Sequence, residues 1–353
     1  MTKSLKESTN CGMYNLSNTL FSQFLTSPPK FLLRMKSVCS MWWNMVSSPL
    51  FIKNHLDIAN NVHNFHKVRY INTDEAPMIQ STTLEGKEAR YENTNPKTTF
   101  SSNVEIFGSC NGLILLGDNL RTYYLWNPST RSCREFNGPF VFKGELRNIA
   151  LGYDSKTSSY KVVRILRVAS CKEELSKMGG LRSSFYDKKN YDATTAKVYN
   201  CKTSSWDEIK DFPYVIFEEA SGVTVNGFPH WVMLKKRGQD KVLELVIVYF
   251  DLSEEIFKEI CIPHWLVPSS KYEFGVFEEK LCFIHYTRPS YELWVMPKHG
   301  ECWIKLSVDV THVRLPGWSH IDYITGLFNH KAFSRAMYVE SLVSPLGGKD
   351  MVG

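Results

Sequence analysis

The sequence predicts a mainly β fold of repeated antiparallel hairpins, a propeller-like domain that is preceded by a small α-helical module. A twelve-residue segment recurs without a gap at residues 125–136, 198–209 and 249–260. A second hairpin pattern precedes each of these copies. Apolar residues near the N-terminus recur instead every three or four positions, which is the period of an amphipathic helix.

Each copy of the twelve-residue segment has the pattern of a strand, a turn and a second strand. Asn or Asp follows an apolar and an aromatic residue, and it can accept a hydrogen bond from the backbone two residues later, which favours a turn. These turn residues are Asn127, Asn200 and Asp251. We expect the aromatic residue before the turn to pair across the strands with the residue six positions after the Asn or Asp. Those later residues are Cys133, Trp206 and Phe257.

Short turns also separate the apolar runs that precede each copy. Asn111-Gly112 and Asn226-Gly227 are the strongest of these hairpin signals, because glycine tolerates a positive φ. Glu278-Glu279 occupies the same place more weakly, and Asp154 begins the turn before the second copy. A stretched fourth copy spans residues 293–306 and has a longer turn.

Two hairpins and a link make a unit of about four strands, the composition of a propeller blade of ~40–50 residues. A two-sheet sandwich built from hairpins is the alternative fold. Five tryptophans recur at fixed positions of the unit, so we expect them in the core. With the turn residue and one phenylalanine, the structural repeat positions are Trp126, Asn127, Trp206, Trp231, Phe257, Trp294 and Trp303.

The N-terminal segment predicts three short helices. Pro28-Pro29 ends the first one, and an apolar stripe then runs from Leu32 to Val46 through the second. Ser47-Ser48-Pro49 ends that helix and precedes a short third one. Helices of this size expose too much surface for an independent core, so the module must pack on a partner or on the rest of the chain.

We therefore divide the chain into three parts. Residues 15–57 form the helical module, residues 58–100 a linker with a first irregular β segment, and residues 101–345 the β-repeat domain. A polar insertion at residues 169–193 either carries binding specificity or is a tolerated insertion.

Composition and motifs argue against several classes of function. Forty-two basic and 36 acidic residues give a formal net charge of +6, without the long basic stripe typical of nucleic-acid binding. The nine cysteines include no CxxC pair, and no apolar run reaches the ~18 residues of a membrane span. His63 and His66 have a metal-compatible offset but no third ligand. We expect a cytoplasmic or nuclear protein that is no enzyme, with no catalytic residue, no cofactor, no metal, and neither nucleic acid nor membrane as a partner.

Several stretches resemble a known family. "FLLRMKSVCSMWWNMVSSPLFIKNHL" is similar to an F-box, a short helical module. "LWNPSTR", "VYNCKTSSW", "SCNGLILL" and "LGYDSKTSSYKVV" resemble the F-box-associated domain of plant F-box proteins. "AMYVESLVSP" resembles the tail of that group, including its S-locus F-box-like members. The resemblance covers nearly the whole chain.

The resemblance implies a substrate-recognition adaptor of a Skp–cullin–F-box ubiquitin ligase. The F-box would dock on a Skp-type adaptor, and through it on the cullin, while the β domain would hold a protein target whose identity the sequence does not give. Ubiquitin transfer would take place on other subunits. The adaptor-binding residues that the resemblance implies are Leu20, Phe24, Leu32, Leu33, Val38, Trp42 and Trp43. We place Trp42 in the core of the module, whereas Trp43 is equally compatible with an interface anchor and with packing on the β domain.

Two departures from the family pattern modify this expectation. Asn15-Leu16 and Ser27-Pro28 stand where the family has Leu-Pro pairs, and Trp43 stands where Arg is common, so we expect weakened docking. The end of the β domain lacks a strand pair, which predicts a shortened last repeat with an exposed sheet edge. The alternative function is a β-repeat protein-binding module, or a decayed family copy, that has lost ligase docking. A propeller enzyme is a third possibility, for which the sequence offers no acid–base or metal constellation.

Overall fold

The structure is a computed structural model, and its described part excludes the least certain stretches of the chain. It describes residues 18–61, 68–72, 80–85, 88–93, 104–117, 121–139, 148–167, 194–217, 222–237, 242–277, 279–287, 290–306 and 335–346. The insertion at residues 169–193 and the pair His63 and His66 lie outside these ranges.

Four helices open the described chain: α1 (Asn18–Leu25), α2 (Pro29–Met35), α3 (Ser40–Ser47) and α4 (Pro49–Asn61). The stripe from Leu32 to Val46 was expected to form one helix, and this expectation is wrong. The Ser37 hydroxyl donates to the Arg34 carbonyl at 2.7 Å, and the backbone leaves the helix there. Cys39 is extended, with φ −160° and ψ 165°, so that α3 starts anew after it.

The remaining elements are strands. They are β1 (Val68–Asn72), β2 (Gln80–Glu85), β3 (Glu88–Asn93), β4 (Glu105–Cys110), β5 (Leu113–Gly117), β6 (Thr122–Asn127), β7 (Ser132–Asn137), β8 (Ile149–Asp154), β9 (Ser159–Arg167), β10 (Thr194–Asn200), β11 (Ser205–Ile209), β12 (Tyr214–Ile216), β13 (Val223–Val225), β14 (Phe228–Arg237), β15 (Val242–Asp251), β16 (Ile256–Ile260), β17 (Tyr272–Phe277), β18 (Lys280–Thr287), β19 (Ser290–Val295), β20 (Ile304–Leu306) and β21 (Arg335–Val339).

These strands form five antiparallel sheets in a propeller arrangement. The second sheet contains β4–β7, the third β8–β11, the fourth β12–β16 and the fifth β17–β20. The first sheet combines β1–β3 with β21, in the order β21-β1-β2-β3. Neighbouring sheets contact one another: β21 contacts β4, β4 contacts β8, and β13, which pairs with β14, contacts both β8 and β17. The predicted mainly β fold of repeated antiparallel hairpins is confirmed.

The first sheet departs from what the sequence suggested for residues 58–100. An irregular β segment was expected there, whereas β1, β2 and β3 pair in regular register. The strand near the C-terminus, β21, completes this sheet by pairing with β1, so that the two ends of the β domain share one sheet. Residues 307–334 lie outside the described part of the chain, and the exposed edge of the shortened last repeat stays a prediction.

The turns of the repeats follow the chemistry expected from the sequence. Backbone N–H groups two residues on donate to the Oδ1 atoms of Asn127, Asn200 and Asp251, at 2.8, 2.9 and 3.0 Å. Asp154 accepts in the same way from Lys156 at 3.0 Å. A feature that the sequence did not reveal is the positive φ four residues after each turn begins. It occurs at Arg131, Ser158, Ser204 and Glu255, with φ of 58°, 49°, 60° and 56°.

The two Asn-Gly pairs form the predicted two-residue turns. Asn111 and Gly112 have φ of 53° and 82°, and Asn226 and Gly227 have 52° and 83°, as a hairpin turn with two left-handed residues requires. The weaker signal is also a two-residue connection, because Phe277 pairs with Lys280. Its Glu279 has φ 59°, whereas Glu278 lies outside the described residues.

The cross-strand pairs within the twelve-residue segments are confirmed. Trp126 pairs with Cys133, Tyr199 with Trp206 and Phe250 with Phe257. In the stretched copy, the longer turn shifts the register, and Trp294 pairs with Lys305. Trp126, Trp231 and Trp303 are buried as expected, whereas Trp206, Phe257 and Trp294 are half-buried and pack at the margins of the core clusters.

Candidate functional site

The four helices form a small module with its own aromatic core. The rings of Phe24 and Trp42 meet edge to face with centroids 4.4 Å apart, and those of Phe21 and Phe51 do so at 5.9 Å. Leu32 is fully buried at the centre of this core. Ser48 is the N-cap of α4. Its Oγ accepts the Phe51 N–H at 3.2 Å, and Pro49 follows as the first helical residue.

The predicted adaptor-binding residues divide between this core and the surface. Phe24 and Leu32 are buried inside the module, and Leu33 and Trp42 are half-buried against the same cluster. Val38 and Trp43 are 64% and 41% exposed, so they are the predicted residues that a partner could reach most directly. The side chain of Leu20 lies outside what the structure describes.

Three further exposed apolar residues were missed by the sequence analysis. Phe31, Met41 and Leu50 are 46%, 43% and 67% exposed. With Val38 and Trp43 they make five of the eight large exposed hydrophobic residues of the described chain, all within residues 31–50. We call these five the exposed apolar set. One sequence feature could have identified Phe31, Met41 and Leu50: they are apolar, but they fall outside the helical stripe that builds the core.

A cavity open to solvent lies between the helical module and turns of the propeller sheets. The cavity has a volume of about 1200 Å³. Leu33, Trp43 and Lys53 of the helices line one wall, and the turns at Asn111-Gly112 and Asn226-Gly227 line the other. Trp43 therefore faces the junction between the two parts as well as solvent.

A partly buried ionic cluster joins the third sheet to the fourth beside this cavity, with Lys161 and Asp154 buried and Glu255 partly exposed. The Nζ of Lys161 donates to the Leu252 carbonyl at 2.6 Å and to the Glu255 carboxylate at 2.7 Å, and it lies 3.6 Å from Asp154 Oδ2. Burial opposes the ionisation of Asp154, but hydrogen bonds from Ser253, Thr157 and Lys156 outweigh it and lower the pKa of this carboxyl to about 2. The cluster thus stabilises an interface between sheets.

Two cysteines of the propeller, Cys110 and Cys201, are buried. Burial raises the pKa of the Cys110 and Cys201 thiols to about 12, which makes them poor nucleophiles. Within the described ranges, no group of three or more His, Cys, Asp or Glu side chains could hold a metal ion. No helix in the described part of the chain has the length and apolarity to span a membrane.

Comparison with known proteins gives relatives of one kind. The chain is 25% identical to the F-box protein CPR1 of Arabidopsis thaliana, over 80% of this chain and 70% of that one. It is 27% identical to the F-box/kelch-repeat protein At3g17530 of the same plant, over 71% of this chain and 61% of that one. For the F-box protein At3g08750 of Arabidopsis thaliana, the values are 28%, 68% and 58%. The chain thus spans about three fifths of the length of the last two relatives.

Among solved structures, the chain is similar to the crystal structure of TolB from Acinetobacter baumannii. The TM-score is 0.38 at 12% identity, over 74% of this chain and 59% of that one. A family described as the F-box associated beta propeller domain matches residues 56–334. These residues include α4 from Leu56 onward and the described strands from β1 to β20. Because the match covers most of the chain and agrees with the repeated hairpins, the protein belongs to the F-box associated beta propeller domain family.

Proposed function

We propose that this protein is the substrate-recognition adaptor of a Skp–cullin–F-box ubiquitin ligase. The helical module docks on a Skp-type adaptor, which links it to the cullin, and the propeller holds a protein target. Ubiquitin is transferred on other subunits, so this chain supplies binding and positioning in the cytoplasm or nucleus. Membership of the family and the F-box proteins among the relatives support this proposal.

The exposed apolar set is the observation that carries the docking step. Solvated side chains such as Trp43 at 41% and Val38 at 64% exposure expose apolar area that a partner would remove from water. Burial of a few large apolar side chains near the centre of an interface supplies most of its binding free energy. Phe24 and Leu32 support docking indirectly, since their packing fixes the helices that present the exposed residues.

We expect this docking to be weaker than that of a regular F-box. Ser27 stands where the family has Leu, and its side chain and backbone are engaged within the module. Its Oγ donates to the Gln23 carbonyl at 2.8 Å, and its carbonyl lies 2.9 Å from Nε2 of His55. A leucine at this position would add an apolar contact for a partner. Asn15 and Leu16 lie outside the described residues.

A titration of the full chain with a purified plant Skp-type adaptor tests the proposal. We expect measurable binding that Trp43→Ala weakens by about ten- to a hundredfold, as loss of an interface anchor does. Val267→Ala is the matched control, because Val267 is 48% exposed but belongs to the propeller. Restoring Leu-Pro at Asn15-Leu16 and Leu at Ser27 should tighten binding. If neither the native nor the restored chain binds, the ligase role is wrong and the protein-binding module without ligase docking replaces it.

A further inference from the structure

We propose that residues 340–346, which follow β21, are a latch that fastens the helical module to the propeller. We further propose that Asn127, the turn residue of the first twelve-residue segment, is the positioning residue that holds this latch. The latch does not depend on the proposed ligase role. Its consequence, a fixed direction from a docked adaptor to a bound target, does rest on that proposed function.

Consecutive residues of the latch enter two different cores. Leu342 is buried in the core of the helical module, in the cluster of Leu32, Val46 and Phe51. The next residue, Val343, is buried in the cluster between the second and third sheets. That cluster also contains Leu56 of α4. The latch and α4 therefore both contribute side chains to these two cores, and we expect a movement of one to disturb the other.

Asn127 divides its side-chain amide between the turn and the latch. Its Oδ1 accepts the Ser129 N–H and closes the turn. Its Nδ2 donates to the Ser341 carbonyl at 3.0 Å and to the Val343 carbonyl at 2.7 Å. Asn127 is fully buried. If its amide group is lost, water therefore cannot supply new hydrogen bonds to the carbonyls of Ser341 and Val343.

A second hydrogen bond holds the latch against the turn between β4 and β5. The Ser341 Oγ donates to the Asn111 carbonyl at 3.0 Å. Gly112 leaves room for this hydroxyl, because a Cβ at Gly112 would come within 2.2 Å of the Ser341 Oγ. The Asn-Gly pair that predicts a hairpin in the sequence thus also provides a contact site for the latch.

The other copies of the twelve-residue segment show that closing the turn needs only an acceptor, and that the hydrogen bonds donated by Asn127 serve a second purpose. Asn200 needs only its acceptor, since its Oδ1 receives the Lys202 N–H at 2.9 Å and the Ser159 hydroxyl at 3.1 Å. Asp251 closes its turn with a carboxylate, which has no hydrogen to donate. An Asp is therefore sufficient for the turn, whereas position 127 needs the amide because the latch lies against it.

Two isosteric variants separate the latch from the turn. Asn127→Asp keeps the turn acceptor but places a carboxylate oxygen against the carbonyls of Ser341 and Val343. Asn200→Asp makes the same change where the donor is not used, and it is the matched control. The measurement is hydrogen exchange of each full-length variant, followed by mass spectrometry.

In Asn127→Asp, we expect residues 340–346 and α4 to exchange at least about tenfold faster, while the third to fifth sheets keep their protection. Asn200→Asp should leave the latch and α4 unchanged. Unchanged exchange of the latch in Asn127→Asp, or an equal loss of protection in every sheet, would overturn the proposal.

If Asn127→Asp fails to fold, Leu342→Ala is the second variant. It removes the latch side chain from the module core and leaves the turn intact. It should accelerate exchange in α2–α4, and unchanged exchange there would also overturn the proposal. Because the adaptor is absent from this experiment, its result is independent of the docking titration.

Discussion

The Nε2 atom of His299 lies 3.1 Å from the Nε2 atom of His230, across the contact between the fifth and fourth sheets. His230 is fully buried on β14, and its Nδ1 lies 3.3 Å from the Val223 carbonyl, to which it donates when that nitrogen carries the hydrogen. His230 Nε2 then accepts the hydrogen of His299. The ring of Tyr249 packs on both imidazoles, with centroids 5.7 and 4.5 Å away. Burial of this pair favours the neutral form of His230.

The stability of the protein should therefore fall in mild acid. Burial, with a smaller contribution from His299, lowers the pKa of His230 to about 3. A histidine of the unfolded chain gains a proton near pH 6.5, so the unfolded state binds more protons below that pH. The contribution of His230 is present above pH 6.5 and is lost as the pH falls towards 3. We expect a loss of about 2 kcal/mol in the free energy of unfolding between pH 7 and pH 5.

Urea denaturation at the two pH values measures this loss. His230→Gln, which cannot gain a proton, should reduce the difference between the two pH values. His264→Gln alters an exposed histidine and serves as the control. A difference that persists unchanged in His230→Gln would show that other groups cause the acid sensitivity.

Gly227→Ala should destabilise the protein more than Gly300→Ala does. Both glycines have a left-handed backbone, with φ of 83° and 85°, so both substitutions carry a conformational cost of about 1 kcal/mol. A Cβ at Gly227 would also lie 2.8 Å from the Tyr153 carbonyl oxygen, whereas nothing lies within 4 Å at Gly300. We expect an additional cost of about 1–3 kcal/mol at Gly227 from this clash. Equal shifts of the two unfolding midpoints would mean that the third and fourth sheets separate freely at this turn.

The hairpins could be predicted from the sequence because their determinants are local. Asn127, Asn200 and Asp251 each accept a hydrogen bond from the backbone two residues on, so a short window of sequence contains the turn. The positive φ that ends each turn could not be predicted, since none of these four residues is a glycine or asparagine, the types that favour a positive φ. They are Arg131, Ser158, Ser204 and Glu255. The hydrogen bonds of the closed turn impose that conformation.

The candidate site was only partly predictable, because its determinants are distant in sequence. The donor role of Asn127 depends on a segment 214 residues away, and the sequence shows only a turn residue. Val38 and Trp43 are among the adaptor-binding residues that the family resemblance implies, whereas Met41 belongs neither to that set nor to the helical stripe. An apolar residue outside the helical stripe has no partner in the local pattern, and only the packed module shows that it faces solvent.

Lys161→Met should destabilise the protein, although methionine fills much of the same volume. Nζ of Lys161 donates to the Leu252 carbonyl and lies 3.6 Å from the buried Asp154 carboxylate, so the substitution leaves both without this partner. Loss of one partner of such a buried polar pair costs about 1–3 kcal/mol. Lys258→Met is the matched control, because Lys258 pairs with Asp251 and Glu254 near the surface and its loss should shift the unfolding midpoint little. A midpoint as sensitive to Lys258→Met as to Lys161→Met would contradict a special role for the buried cluster.

Trp126→Ala should cost more stability than Trp206→Ala, although the two residues belong to copies of one segment. Trp126 is fully buried beside Tyr124 and Tyr338, and emptying such a site costs about 3–5 kcal/mol. Trp206 is half-buried, packs on Tyr199 with ring centroids 5.3 Å apart, and donates its Nε1–H to the Asn137 carbonyl at 2.8 Å.

For Trp206→Ala we expect about 1–3 kcal/mol, since water already reaches part of the ring and less apolar area returns to solvent. Trp206→Phe keeps a ring against Tyr199 but loses the hydrogen bond, so it should fall between the native protein and Trp206→Ala. Chemical denaturation of the three variants measures these differences. An equal loss for Trp126→Ala and Trp206→Ala would show that the repeat positions contribute alike whatever their exposure.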